Sequence, residues 1–147
     1  MREGGAAPVV TSAGALVDGL RTLKAKKVAM VAPYVESLCT MVAEYIEHEG
    51  IEVVDRIALE IPDNLEVGRR DPMALVGIYK RLNLSGIDAL VLSSCVQMPS
   101  LAAIPIVERE CGLPVVSASI CTTYQMLQRL GLKTVAPGAG ALLSGRY

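Results

Sequence analysis

Short runs rich in valine, leucine and alanine alternate along this chain with longer segments whose apolar residues recur at helical spacing. The clearest run, residues 27–32, has no polar side chain after Lys27 and is closed by Pro33. Uninterrupted apolar runs of this length are typical of strands buried on both faces of a parallel sheet. The alternation therefore predicts an α/β fold that is doubly wound, with right-handed crossovers.

The predicted sheet is mostly parallel, four-stranded and flanked by helices. We expect its strands at residues 27–32, 51–59, 87–92 and 114–116, with a further short strand end at residues 8–10. Helices are predicted to start after Thr11 or Ser12 and to cover residues 35–49, 71–83, 101–111 and 119–130. Residues 62–68 are rich in turn-forming side chains and are predicted to form a polar loop.

Composition excludes several classes of protein. The 147 residues are 52% apolar and carry a net charge of −1, which excludes a basic nucleic-acid-binding surface. No apolar run approaches the roughly 18 to 20 residues of a membrane span, so we expect no membrane association. Residues 1–10 contain no apolar stretch of the kind found in signal peptides. A cytoplasmic location is therefore predicted.

The four cysteines form no C-x-x-C pair, and His48 is the single histidine. This pattern argues against a zinc site of common spacing, and we expect no metal. In a cytosolic protein the thiols are expected to be free. Cys39 and Cys121 fall inside predicted helices and Cys111 at a helix end, so we interpret these three as structural.

One segment near the start of the chain reappears near its end. Residues 8–13 (PVVTSA) match residues 114–119 (PVVSAS), and residues 20–28 match residues 127–135 after a one-residue insertion. The spacing of 106 to 107 residues indicates that one strand–helix unit occurs twice. The alternative is chance, because Pro-Val-Val is common before helices in α/β folds.

Duplication has a consequence for domain organisation. We predict that residues 1–26 are the closing strand–helix unit of a first half that is mostly absent from this chain. Residues 27–147 would then be the second α/β half-domain, and roughly 80 or more residues are expected to precede Met1 in a complete duplication.

Three side chains are placed where an open α/β sheet binds ligands, at the carboxyl ends of its strands. Tyr34 follows the first predicted strand, Asn64 follows the second, and Cys95 follows the third. Cys95 is also expected just ahead of a helix, whose dipole and free N–H groups would favour a thiolate. Such a thiol is a candidate nucleophile or proton donor.

These positions resemble a known family. Residues 94–100 (SCVQMPS) resemble the second-cysteine motif of the maleate cis–trans isomerases, which belong to the Asp/Glu racemase superfamily together with the arylmalonate decarboxylases. Residues 31–34 are similar to that family's strand-end Pro-Tyr, and residues 61–65 to its substrate-loop asparagine. The decarboxylase and racemase branches usually carry Cys-Thr where this chain has Cys95-Val96, which favours the isomerase branch.

The resemblance implies a fold of two similar α/β halves, each supplying one active-site cysteine, and a reaction that needs no cofactor. A first-half thiolate adds to maleate, the adduct rotates about a single bond, and elimination releases fumarate. Cys95 would be the second cysteine, acting as acid and base. Hydrogen bonds to the substrate carboxylates or to an oxyanion would come from Tyr34, Asn64, Val96, Gln97 and Met98.

The resemblance implies a small dicarboxylate as substrate, with the first-half cysteine lying before Met1. A homodimer or higher oligomer that brings two Cys95 thiols together is one expected assembly. Two alternatives remain open at this point. One is a cysteine-dependent racemase or arylmalonate-type decarboxylase, and the other is a non-catalytic dicarboxylate-binding or interaction module.

Overall fold

A computed structural model describes residues 9–147, and among them the sheet has four strands in the order β2-β1-β3-β4. The strands are β1 (Lys27–Ala32), β2 (Glu52–Ala58), β3 (Ala89–Leu92) and β4 (Val115–Val116). Every neighbouring pair is parallel. The predicted α/β class with a four-stranded sheet is confirmed.

Six α-helices surround this sheet in the described part of the chain. They are α1 (Ser12–Thr22), α2 (Glu36–His48), α3 (Asn64–Arg69), α4 (Ala74–Ile78), α5 (Ile104–Cys111) and α6 (Ala118–Arg129). Short 3₁₀ helices follow at Tyr79–Arg81 and Ala141–Leu143. No helix among residues 9–147 has the length and apolar character that crossing a membrane requires.

The core is centred on β1 and β3. Both strands are buried along almost their whole length, whereas β2 at the edge is half-buried. Helices on both faces exclude water from the two central strands, which is why their sequences are continuously apolar rather than alternating. The apolar face of α1 belongs to the same hydrophobic cluster as the sheet.

Two predictions near the chain start and after β2 are wrong. Val9 and Val10 form no strand, because no strand within residues 9–147 pairs with their backbone, and Pro8 lies outside the described residues. The expected polar loop at residues 62–68 contains α3, which Asp63 caps by accepting a hydrogen bond from the Leu65 N–H at 2.8 Å. A single capping carboxylate is sufficient to start this short helix.

Two predicted helices are also shorter than expected. The helix expected over residues 71–83 consists of α4 and one 3₁₀ turn, because Asp71 accepts from the Met73 N–H at 2.9 Å and so closes a turn ahead of the helix. The helix expected from residue 101 starts at Ile104, since Pro105 occupies its first turn.

Asp88 joins the beginnings of β1 and β3. Its Oδ2 accepts hydrogen bonds from the backbone N–H groups of Lys26 at 2.8 Å and Lys27 at 2.9 Å. These two bonds lower the pKa of Asp88 below its ordinary value of 3.8. A carboxyl group whose pKa is lower in the folded than in the unfolded protein stabilises the fold at any pH above its unfolded-state pKa. This stabilisation is lost as the pH falls through the pKa of the folded state.

We therefore expect Asp88→Asn to make the free energy of unfolding less dependent on pH in the acid range. The variant should be less stable than the parent at pH 7 and should approach the parent as the pH falls below 3.8. Urea titrations at a series of pH values measure this difference. The exposed Glu44→Gln provides the control, and a parallel pH dependence in Asp88→Asn and the parent would contradict the assignment.

Candidate functional site

The carboxyl ends of β2, β1 and β3 lie side by side at one edge of the sheet, and the loops that follow them are tied together. The Glu60 N–H donates to the Tyr34 carbonyl at 3.1 Å, and the Ile61 N–H donates to the Pro33 carbonyl at 2.9 Å. These bonds hold the loop after β1 against the loop after β2. The structure thus brings the first two predicted site segments to one place.

The loop after β3 is shaped by Ser93. Its buried hydroxyl donates to the Cys95 carbonyl at 2.7 Å and accepts from the Cys95 N–H at 3.1 Å. The φ angle of Ser93 is 136°, a conformation that side-chain-bearing residues rarely adopt. Strained backbone of this kind persists where surrounding contacts hold it, and it is frequent at functional sites.

The same loop is anchored to two other elements. The Ser94 N–H donates to the Val31 carbonyl of β1 at 3.1 Å, and the Ser93 carbonyl accepts from the Ala118 N–H of α6 at 2.9 Å. The Cys95 backbone therefore has a defined position relative to β1 and to the first turn of α6.

Ser94 adds a polar group that the sequence analysis missed. Its Oγ is buried and forms no hydrogen bond with any residue in the range 9–147. A buried hydroxyl without a partner is unfavourable, so this group is suited to bonding a ligand. The only signal in the sequence was its place immediately before Cys95.

Tyr34 and Cys95 lie next to each other at this edge. Burial raises the pKa of the Tyr34 phenol above its ordinary value of 10.0, and the neighbouring Cys95 thiol raises that pKa further. The phenol therefore remains protonated at neutral pH and can donate a hydrogen bond to an anion. The Cys95 side chain is partly exposed, so a small molecule can reach the thiol.

Gln97 connects the Cys95 loop to Asn64. The Gln97 Nε2 donates to the Asn64 carbonyl at 2.6 Å, and Asn64 is exposed as the first residue of α3. The bond brings all three strand-end segments together. We predicted Gln97 as a substrate-binding residue, and the structure uses its side chain to position α3.

The other two predicted loop residues face opposite ways. The Met98 side chain is buried in the core, so Met98 can serve a ligand only through its backbone. The Val96 side chain is exposed, as is Leu65 beside Asn64. Exposed apolar side chains flanking a polar site are suited to a partner or ligand that covers the site.

One expectation about Cys95 is wrong. The next helix, α5, begins only at Ile104, so Cys95 does not lie just ahead of a helix. The intervening residues form turns, because Pro105 determines where the helix starts. The helix dipole falls off within one turn, so it does not act on this thiol.

The remaining cysteines are free thiols in structural places. Cys39 and Cys121 are buried in α2 and α6, and burial raises the pKa of both thiols. Cys111 ends α5, with its Sγ 3.8 Å from the Leu113 carbonyl. Within residues 9–147 no cluster of three or more His, Cys, Asp or Glu side chains is arranged to hold a metal ion.

Comparison with known proteins places this arrangement in a family. The sequence model of the arylmalonate decarboxylase family matches residues 1–143. The chain belongs to the arylmalonate decarboxylase family. Within the family, a maleate isomerase from Geobacillus stearothermophilus is 61% identical over 146 residues, covering 99% of this chain and 58% of the relative.

Two solved structures of the family superimpose closely on this chain. One is a cysteine-to-alanine variant of the maleate isomerase Iso from Pseudomonas putida S16, solved with maleate. It is 54% identical to this chain, superimposes with a TM-score of 0.93, and the match covers 95% of this chain and 56% of that one. A cysteine-to-serine variant of the Nocardia farcinica maleate cis–trans isomerase carries a covalently bound succinylcysteine intermediate. It is 46% identical at a TM-score of 0.93, covering 98% and 59% of the two chains. This chain thus spans a little over half the length of these family members.

The role of Ser93 in holding the Cys95 loop can be tested by substitution. Ser93→Ala removes both hydrogen bonds to the Cys95 backbone from a fully buried position. We expect the free energy of unfolding to fall by about 1–3 kcal/mol, since the N–H and C=O groups of the partly buried Cys95 both lose their partner. Urea unfolding measures this, with the exposed Ser85→Ala as the matched control, for which the expected change is within about 0.5 kcal/mol. Equal effects of the two substitutions would contradict the role given to Ser93.

Proposed function

We propose that the edge formed by Tyr34, Asn64 and Cys95 binds maleate and takes part in its cis–trans isomerisation to fumarate. The observation that carries this proposal is the Cys95 thiol beside a phenol that stays protonated, at the meeting point of three strand-end loops. The similarity to proteins named maleate isomerase, at 48–61% identity, supports the same substrate.

Neutral hydrogen-bond donors suit the recognition of a dicarboxylate here. The raised pKa of Tyr34 keeps a proton available for a carboxylate oxygen. The buried Ser94 hydroxyl, unpaired within the described residues, and the backbone N–H groups of Val96, Gln97 and Met98 can supply further donors. Because these donors are neutral, they can hydrogen-bond to substrate oxygens on which negative charge develops, without forming a permanent ion pair.

The proposed reaction uses two thiols. A thiolate adds to one alkene carbon of maleate, and Cys95 gives its proton to the neighbouring carbon. The carbon–carbon bond of the resulting succinyl thioether is single and can rotate. The Cys95 thiolate then removes a proton from the same neighbouring carbon, the carbon–sulfur bond breaks, and fumarate leaves together with the first thiolate. Electrons and protons balance without a redox cofactor.

Cys95 fills the acid–base role, and the adding thiolate must come from elsewhere. Cys39 and Cys121 are buried, and burial raises the pKa of each, which opposes thiolate formation. The second thiol is therefore assigned to a further polypeptide segment that faces the Cys95 thiol across the substrate. The homodimer or higher oligomer expected from the sequence remains a prediction, and such an assembly is one way to supply the second thiol. The cytoplasmic location also remains a prediction.

The two other functions differ in what they require of Cys95. A racemase or arylmalonate-type decarboxylase would also use the thiol as a proton carrier, but on an amino acid or a malonate. Cys95-Val96 and the maleate-isomerase relatives favour maleate. A non-catalytic binding module predicts dicarboxylate binding that is unaffected by Cys95→Ser.

The decisive experiment joins this chain to the part of the Geobacillus stearothermophilus isomerase that it does not match, so that a full-length protein is assayed. We expect the chimera to convert maleate to fumarate, and Cys95→Ser to lower kcat by roughly 10²- to 10⁴-fold, the contribution typical of proton transfer by a positioned group. Chromatography with a thiol reductant present measures the product.

Cys111→Ser in the same chimera is the matched control and should leave kcat nearly unchanged, because Cys111 ends α5 and is not part of the loops that meet at Cys95. A folded chimera that forms no fumarate, or one that is indifferent to Cys95→Ser, would contradict the proposal. Turnover of an arylmalonate in place of maleate would favour the decarboxylase.

Tyr34→Phe tests the carboxylate donor. Loss of one hydrogen bond to a charged group should reduce kcat/KM by about 1–3 kcal/mol, or roughly 5- to 150-fold. Steady-state kinetics of the chimera give this number, with Tyr45→Phe on the exposed face of α2 as the control. A kcat/KM for Tyr34→Phe equal to that of the control would remove Tyr34 from the binding site.

A further inference from the structure

The Gln97 side chain lies against the face of α3 that carries Asn64. Its Nε2 donates to the Asn64 carbonyl at 2.6 Å. A Cβ added to Gly68 would be 3.7 Å from the same Nε2 and 3.8 Å from the Gln97 Cγ, which is ordinary van der Waals distance. Asn64 and Gly68 are four residues apart, so they share one face of the helix. Gln97 therefore contacts this face of α3 from its first residue to its last turn.

Few other contacts hold α3 in place. Val67 is its one buried residue and belongs to the core, whereas the other five residues are exposed. The Asp63 cap bonds the Leu65 N–H, which starts the helix but does not join it to another element. A helix of six residues is far below the roughly 12 to 15 residues that an isolated helix needs for stability. The position of α3 thus depends on Val67 on its inner side and on Gln97 on its exposed side.

The Gln97 amide is also the link between α3 and the Cys95 loop. Within the described residues it forms the only hydrogen bond between residues 94–98 and α3. The chain ahead of α3 is bonded to a different loop, since the Glu60 and Ile61 N–H groups donate to carbonyls in the loop after β1. Removal of the Gln97 amide would leave no direct hydrogen bond between the Asn64 helix and the Cys95 loop.

The backbone on either side of Gln97 is held in place. Cys95, two residues earlier, is bonded through both of its backbone groups to the buried Ser93 hydroxyl. Met98, the next residue, is 2% exposed and packs in the core. The Gln97 side chain therefore extends from a fixed backbone to the first residue of α3, and it can define where that residue lies.

We propose that Gln97 is a positioning residue, whose amide sets the place of Asn64 relative to the Cys95 thiol and which acts on the substrate only through Asn64. The inference rests on the function proposed above, in which Asn64 helps to bind maleate while Cys95 transfers a proton. A small dicarboxylate must reach both groups at once, so a displacement of one group by about 1 Å lowers the rate. The alternative is a hydrogen bond from the Gln97 side chain to the substrate itself.

Gln97→Met isolates the hydrogen bond. Methionine has a similar length and keeps the contact with Gly68, but its thioether cannot donate to the Asn64 carbonyl. The backbone N–H of residue 97, which the proposed function uses, is unchanged. Gln128→Met is the matched control, because Gln128 is also exposed and its Nε2 also donates one hydrogen bond, to the Tyr124 hydroxyl at 3.0 Å on α6.

The first measurement follows hydrogen exchange at the Val67 amide in this chain. The Val67 N–H donates to the Asp63 carbonyl at 3.1 Å, so it exchanges when α3 opens. We expect Gln97→Met to speed this exchange roughly 3- to 10-fold, as the loss of one hydrogen bond predicts, and Gln128→Met to leave it unchanged. Equal exchange rates in Gln97→Met and the parent would overturn the inference.

The second measurement is a double-mutant cycle in the chimera with the Geobacillus stearothermophilus isomerase. Asn64→Ala removes the amide side chain but keeps the backbone carbonyl that Gln97 bonds. We expect Gln97→Met to raise KM for maleate roughly 3- to 10-fold in the parent chimera, and by less than about twofold once Asn64 is replaced. The effect on kcat should be smaller, since a bond to a substrate carboxylate contributes to binding. Steady-state kinetics measure both constants, with Gln128→Met as the control.

The outcomes separate the two proposals. Equal effects of Gln97→Met with and without the Asn64 side chain, or no effect in the parent chimera, would overturn the inference. An Asn64→Ala chimera with the KM of the parent would overturn it too and would remove Asn64 from the site. A chimera that binds maleate but forms no fumarate contradicts the proposed reaction alone, because calorimetric dissociation constants then complete the cycle. A chimera that neither binds nor converts maleate overturns both.

Discussion

The hydrogen bonds of the Ser93 hydroxyl to both backbone groups of Cys95 are the interaction on which the site depends. Through them the chain turns sharply at the end of β3 and accepts an unfavourable φ angle. The Ser93 carbonyl accepts a hydrogen bond from α6, and the Ser94 N–H donates one to β1. A partly exposed thiol would otherwise sit on a mobile loop, and proton transfer requires a donor held within hydrogen-bond reach of its target.

Parallel strands explain why residues distant in sequence meet here. The order β2-β1-β3 puts the loops after three strands side by side, so Asn64, Tyr34 and Cys95 converge at one end of the sheet. Backbone hydrogen bonds between the loops, and the Gln97 amide, then set their spacing. The edge presents neutral donors and a thiol, which suits chemistry in which charge develops on the substrate.

The central strands could be predicted from sequence because burial on both faces leaves an unbroken apolar run, and β1 has the expected bounds at residues 27–32. The short helices could not be predicted so well. The side chains of Asp63 and Asp71 each bond a backbone N–H two residues on, yet the first starts a helix and the second closes a turn ahead of one. The places of Tyr34, Asn64 and Cys95 at strand ends could be predicted because strand ends are visible in the sequence pattern. Ser93 was missed because its role depends on a backbone conformation that no spacing shows.

The sequence by itself determined the α/β class, the places of Tyr34, Asn64 and Cys95 after three strands, and the recurrence of one short sequence segment near both ends of the chain. Periodicity and capping residues act locally, so α1 and α6 begin with equivalent capping hydrogen bonds, and each helix is followed by a residue with left-handed backbone, Lys24 and Gly131. Only the tertiary structure decided that the two copies have unequal surroundings. Val115 is buried and Val9 is exposed although both stand in the same Pro-Val-Val run, because burial depends on whether a neighbouring strand is present, and local sequence carries no information about that.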